Sequence, residues 1–217
     1  MGFRYFLNAC KSVVVVLTVV IFNTAQAQQF SARVNGGLTA SQISGDGAYG
    51  FVQFGAMIGG EVGLAFNDEW SSSFGIRFNQ KGSRIYKSNN SINTYRLRVN
   101  FIEAPLLLQY SLQKLTFAAG PVLGVMINQK ERTQFGQIEN LRAFDPFELG
   151  FEFNIGYEIK EGLRLKLLYQ NSILAVRDHS IDQAFPPANF VLGSLHQKML
   201  DQGQYFTSLS LVVCYEF

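Results

Sequence analysis

Two groups of residues in this chain are of types that could do chemistry. The first is Asp178, His179 and Ser180, with His196 further on. A serine paired with a histidine base is the core of nucleophilic hydrolysis. Three adjacent residues do not form such a triad by adjacency, however. Both histidines also fall in a long segment away from any regular strand, where a solvated loop accounts for them. No Gly-x-Ser-x-Gly elbow, His-Glu-x-x-His pair or phosphate loop occurs. Glu131, Arg132 and Asp145 read as ordinary solvated charges. The second group is a set of charges embedded in apolar surroundings: Arg33, Glu61, Arg77, Glu103, Glu148, Glu152, Arg164, Lys166 and Glu216. Such a set could pair with itself, could line a narrow path for ions or protons, or could form a buried catalytic cluster. The elements that carry the set decide among these.

The chain opens with the plan of an export signal. Arg4 and Lys11 give a positive start, Val13 to Phe22 is an apolar run broken only by Thr18, and Ala25-Gln26-Ala27 is a small-x-small cleavage site. The run is too short to span as a helix, which takes roughly 20 residues. Residues 1–27 are therefore expected to be a signal peptide, leaving 28–217 as one domain. Cys10 precedes the apolar run, so it is not a lipobox cysteine, and Cys214 is then the single mature cysteine. No disulfide and no cysteine-based zinc site is expected, and no cofactor. Removing Arg4 and Lys11 from the 18 Lys and Arg leaves 16, equal to the 16 Asp and Glu. That balance offers nothing to nucleic acid, whose binding needs basic charge.

After the signal the dominant pattern has period two. Eight segments alternate apolar with small or polar residues over the 9–11 residues, or more, that a tilted membrane strand takes. They begin near Phe30, Gly55, Trp70, Tyr95, Leu115, Phe147, Leu163 and Tyr205. The sixth is the clearest. Phe147, Leu149, Phe151, Phe153, Ile155, Tyr157 and Ile159 share one face, and Glu148, Gly150, Glu152, Asn154, Gly156 and Glu158 the other. In the fourth, Tyr95, Leu97, Val99 and Phe101 share one face, and beyond Pro105 the lipid side passes to Leu106, Leu108 and Tyr110. An extra residue in a bulge near that proline would account for the change. No later stretch is long and apolar enough to span as a helix, so a membrane fate requires a closed barrel.

The connections alternate in length. Gaps at 67–69, 111–114 and 160–162 are short, and those at 40–54, 82–94, 130–143 and 175–204 are long. Short periplasmic turns and long extracellular loops are the habit of outer-membrane barrels. The rhythm puts both termini in the periplasm. Trp70, Tyr110, Tyr157, Tyr169, Tyr205 and Tyr215 suit interfacial girdles that contact outer-membrane lipid. The eighth strand ends on Phe217, which resembles the signal read by barrel assembly machinery during biogenesis. The charge set then falls on lumen faces. An eight-stranded interior is just wide enough to be filled by side chains, so the set reads as a structural salt-bridge core, with lumen glycines leaving room for the long side chains. The final loop is unusually apolar. Phe185, Phe190, Leu192 and Leu195 are expected to plug the mouth, pack on its rim or meet an envelope partner.

Several pieces carry a family resemblance: "GGLTAS" at 36–41, "FNQKGSR" at 78–84, "FIEAPLLLQY" at 101–110, "FAAGPVLGVMI" at 117–127 and "LGFEFNIGYEI" at 149–159. In their order and spacing the chain resembles the PorT-like outer-membrane β-barrel proteins of Bacteroidetes. The resemblance implies no catalytic residues, and one branch of that family is linked to type IX protein secretion and gliding motility. The expected fold is all-β, an eight-stranded antiparallel up-and-down transmembrane barrel. The expected function is a non-catalytic envelope scaffold or docking component. Three alternatives stand beside it: a small-solute channel, an outer-membrane lipid-modifying enzyme or protease, and a soluble lipocalin-like ligand barrel with its apolar faces turned inward.

Overall fold

A computed structural model describes residues 29–44, 50–85, 94–137, 144–177 and 203–217. Residues 1–27, Asp178, His179, Ser180, His196 and the apolar run with Phe185, Phe190, Leu192 and Leu195 lie outside them.

The alternating segments all become strands: β1 (Phe30–Ser44), β2 (Gln53–Ala65), β3 (Trp70–Ile85), β4 (Tyr95–Leu112) and β5 (Leu115–Thr133), then a two-residue strand β6 (Gly136–Gln137), then β7 (Phe147–Lys160), β8 (Leu163–Ser172) and β9 (Tyr205–Glu216). The long strands pair antiparallel in chain order with β7 beside β5, β6 adds to the far end of β5, and β1 pairs with β9, so the eight long strands close on themselves. Closure matters physically. It gives each of the eight long strands a partner on both sides, and in lipid an unpaired edge has nothing to bond to. At the seam Val34 faces Tyr215 and Leu38 faces Leu211, while the Phe217 amide donates to the Ala32 carbonyl at 3.0 Å.

Side chains at alternate positions point to opposite faces. Phe151, Phe153, Ile155 and Tyr157 stand exposed outside, while Glu148, Glu152 and Asn154 are buried within. The same inversion holds for Val34, Ile58, Val62, Phe74, Leu123, Leu167, Leu209 and Leu211, all exposed. Apolar out and charged in is the reverse of a soluble ligand barrel.

Three short turns join the strands at the end that holds the termini. Asn67 ties one of them, its Oδ1 accepting from the Glu69 amide at 3.0 Å and the Trp70 amide at 2.7 Å. Gln113 takes the left-handed region (φ 53°) in the second, and Gly162 (φ 74°) in the third.

The structure corrects the sequence reading in three places. The first is β4, where the faces do not swap at Pro105. Leu97, Val99, Phe101, Glu103, Leu107 and Gln109 are all buried, and Ile102, Leu106 and Leu108 are exposed, so one phase runs from 97 to 109. The irregularity lies elsewhere, on β5. Asn100 faces Asn128 but Phe101 faces Met126, which makes Ile127 the extra residue of a bulge. An apolar run on a strand does not by itself say lipid, and here it fills the far end of the lumen. The second correction is strand length. β1, β3 and β5 run on to 44, 85 and 133, into stretches read as loops, because ladder hydrogen bonds continue beyond the apolar belt whatever the side chains are. The third is Tyr205, which was assigned to the outer girdle and is buried. Trp70, Tyr157, Tyr169 and Tyr215 do stand outside.

Candidate functional site

The lumen is layered. Nearest the termini, Arg33 of β1 donates from Nη1 to Glu61 Oε1 of β2 at 2.8 Å and reaches Glu216 of β9 from Nε at 3.2 Å. Lys166 of β8 joins Glu61 at 2.6 Å, and Arg164 joins Glu216 at 2.9 Å. Gln109 accepts from Arg33 at 3.2 Å and donates to Ser73 at 2.8 Å. Arg164 and Glu216 keep some exposure, so this layer opens toward solvent at its outer end.

Further in, Met57, Leu168 and Val212 form a small apolar layer. A cavity of about 10 Å³ between these and Glu61, Arg77, Glu152 and Lys166 is the size of about one water.

Above it lies the second ionic layer. Arg77 of β3 donates from Nε to Glu103 Oε2 at 2.8 Å and meets Glu152 Oε2 from Nη2 at 2.6 Å. Lys81 meets Glu103 Oε1 at 2.6 Å and Glu148 Oε2 at 3.0 Å. Glu103 is the node of this layer. It also accepts from Asn79 and from Gln170, each at 3.2 Å. Ser172 donates to Glu148 at 2.6 Å, and Asn154 to Glu152 at 2.8 Å. Lys81 and Glu103 are both 0% exposed. Charges so placed are tolerated only when paired and hydrogen-bonded, and here each one is.

At the long-loop end the lumen turns apolar again. Ile43, Leu97, Val99, Phe101, Phe144, Val176 and Phe206 pack as one cluster. Phe101 and Phe206 meet edge-on with centroids 5.6 Å apart. The Lys81 ammonium lies 5.3 Å from the Phe101 centroid, so the rings close over the ionic layer. At the rim Arg177 stacks 3.6 Å from the Phe144 centroid and reaches Glu131, which also accepts from Tyr95.

All nine charges read from the sequence as lumen residues therefore converge there. Glu131 does not behave as a plain solvated charge. Lys81 was missed, and with it the set balances at five cations and five carboxylates. The signal for Lys81 is present in the sequence, because it continues the parity of Arg77 and Asn79 at the end of the third alternating segment. The glycine reading holds in particular places. A Cβ on Gly63 would strike the Arg33 guanidinium, and one on Gly59 the Arg77 side chain. Gly120 has another reason, since its Cβ would strike the β4 backbone at Leu106. Among the described residues no three His, Cys, Asp or Glu side chains gather as metal ligands would.

Residues 25–173 match the family described as Outer membrane protein beta-barrel domain. No curated protein matches the chain. Solved structures similar to it include Ail, the attachment invasion locus protein of Yersinia pestis, solved with the heparin analogue sucrose octasulfate (13% identity over 87% of this chain and 99% of that one, TM-score 0.48). Neisserial surface protein A is 13% identical over 88% of this chain and 100% of that one, with a TM-score of 0.49. CarO2 of Acinetobacter baumannii is 12% identical over 85% and 99%, with a TM-score of 0.46.

Proposed function

We propose, from the premise that this chain belongs to the outer membrane protein β-barrel domain family of the Gram-negative envelope, that it serves as a non-catalytic scaffold or docking component whose lumen conducts nothing. The observation that carries this reading is the filled interior. Two ionic layers and an aromatic cluster occupy the lumen, and Lys81, Glu103 and Val99 have no exposure at all. A pore needs binding weak enough to release its ion, whereas these carboxylates are each held by more than one donor. Activity then falls to the outside of the barrel and to its loops.

In this reading the short turns and both termini face the periplasm, residues 1–27 are removed on export, and Phe217 is presented to the assembly machinery. The 175–204 loop, with Phe185, Phe190, Leu192 and Leu195, is the part offered to envelope partners. The resemblance to PorT-like proteins of Bacteroidetes is family-wide, and a place beside protein secretion or gliding machinery is the role of one branch of that family.

The test is conductance together with neighbours. The full mature barrel in planar bilayers is expected to be electrically silent, and crosslinking in native membranes is expected to return reproducible envelope proteins. Sustained single-channel steps would sink the reading in favour of a small-solute channel. Fatty-acid or peptide release by the reconstituted barrel would favour an envelope enzyme.

A further inference from the structure

The outer face of β3, β4 and β5 changes character in rows toward the long-loop end. Phe78, Ile102 and Val125 form the last apolar row. Next comes an amide row, Gln80, Asn100 and Asn128, with Gln80 donating to Asn100 at 2.9 Å. Then Arg98 faces Lys130, and beyond them Arg84, Arg96 and Arg132 stand side by side. Successive rows on one face are two residues, about 7 Å, apart along the strand. The cations thus begin about 14 Å along the strand from the last apolar row, less in depth because barrel strands tilt.

For Arg98, Lys130 and Arg132 this arrangement has a cost. Like charges directly opposite on paired strands repel. Among the described residues no carboxylate forms an ion pair with Arg98, Lys130 or Arg132, and Arg98 Nε is shielded from solvent without a partner. The nearest acid in sequence, Glu131, is turned the other way, onto Tyr95 and Arg177. The bulge at Ile127 is what arranges this. Before it the odd residues of β5 face out, and after it Asn128, Lys130 and Arg132 do. An unbroken ladder would have put Glu131 outside and the two cations within. The opposite end of the barrel has no such bias, since Lys114 and Lys160 share it with Asp68, Glu69, Glu158 and Glu161.

A patch of one sign, immediately above a lipid-facing apolar surface, fits an amphiphile with an anionic head. We infer that this face binds the phosphate-bearing head of an outer-leaflet saccharolipid, whose acyl chains lie on Phe78, Ile102, Val125 and Leu123. Phosphate oxygens accept the guanidinium and ammonium donors, and the negative charge relieves the cross-strand repulsion. The choice of outer leaflet rests on the proposed orientation, with long loops outside.

The experiment takes the full mature barrel in phosphatidylcholine vesicles doped with lipid A and measures lipid A retained per barrel after extraction. Wild type is expected to retain it. The R98Q/K130Q/R132Q variant is expected to retain at least about tenfold less, given the attraction each surface cation exerts on an anionic membrane. A K114Q/K160Q control is expected to match wild type. All three must keep the heat-dependent gel shift of a folded barrel, and if the triple variant does not, the single variants are read in its place. Equal retention by the charge-removed variants overturns the proposal. So does equal retention of dephosphorylated lipid A, or displacement by inorganic phosphate, which would mark a site for free anions. Orientation is read separately. Phe135 is 91% exposed at the turn between β5 and β6, and a Phe135→Cys variant is expected to react with an impermeant maleimide on whole cells. No reaction would overturn the orientation, and with it the outer-leaflet assignment, whatever the vesicles retain.

Discussion

At the scale of single residues, the lumen network stands or falls on shared carboxylates. Glu103 holds both Arg77 and Lys81, and Lys81 is shared with Glu148. Removing one member of a buried pair strands the other, at about 3–5 kcal/mol. Lys81→Met is therefore expected to lower the unfolding free energy in urea by that amount. In the double variant Lys81→Met/Glu148→Gln, Glu103 keeps Arg77 and Glu148 no longer carries a charge, so more than half of the loss is expected to return. Simple additivity in this cycle would mean the layer is not coupled. The nine charges were legible because each sits in a period-two context. Which carboxylate meets which cation was not, because Arg77 and Glu152, or Lys81 and Glu148, come together only when the sheet closes.

At the scale of elements, the phase of a strand decides which way every side chain on it points. β5 carries one residue more than β4 across the Asn100–Phe101 step. Deleting Ile127 is expected to leave the barrel folded, with a regular ladder in which Met126 and Asn128 become consecutive and keep their partners. Deleting Ile102 from β4, which has no spare residue, turns either Arg98 and Asn100 inward or Glu103 and Leu107 outward. It is expected to abolish the folded band on unheated gels. Equal behaviour of the two deletions would contradict the bulge. Sequence alternation found the strands but misplaced this irregularity. Pro105 was the visible suspect, yet its missing donor is absorbed locally: the β3–β4 ladder stops at Phe74–Leu106 and resumes in the same register at Arg77–Glu103. Leu97, Val99 and Phe101 were misread for a related reason. Apolar residues serve either face, and only the closed barrel shows that these three fill its far mouth.

For the whole molecule, closure and filling reinforce one another. Eight long strands leave no edge among themselves, and between the charged layers inside lies a cavity the size of about one water. Such a barrel should resist detergent until heated. The native protein in outer-membrane fractions is expected to migrate differently unboiled and boiled, and a single unshifted band from a soluble fraction would overturn the membrane assignment. The sequence by itself determined the all-β alternation, the count of eight long strands, the short and long connections and the set of alternating charges, because a two-residue period and turn chemistry are local. Only the tertiary structure decided the partners within the ionic layers, those of Lys81 among them, the inward face of early β4 and the cationic rows beyond the apolar belt. Those depend on register and closure, which relate residues as distant as Arg33 and Glu216, and no local pattern encodes such a relation.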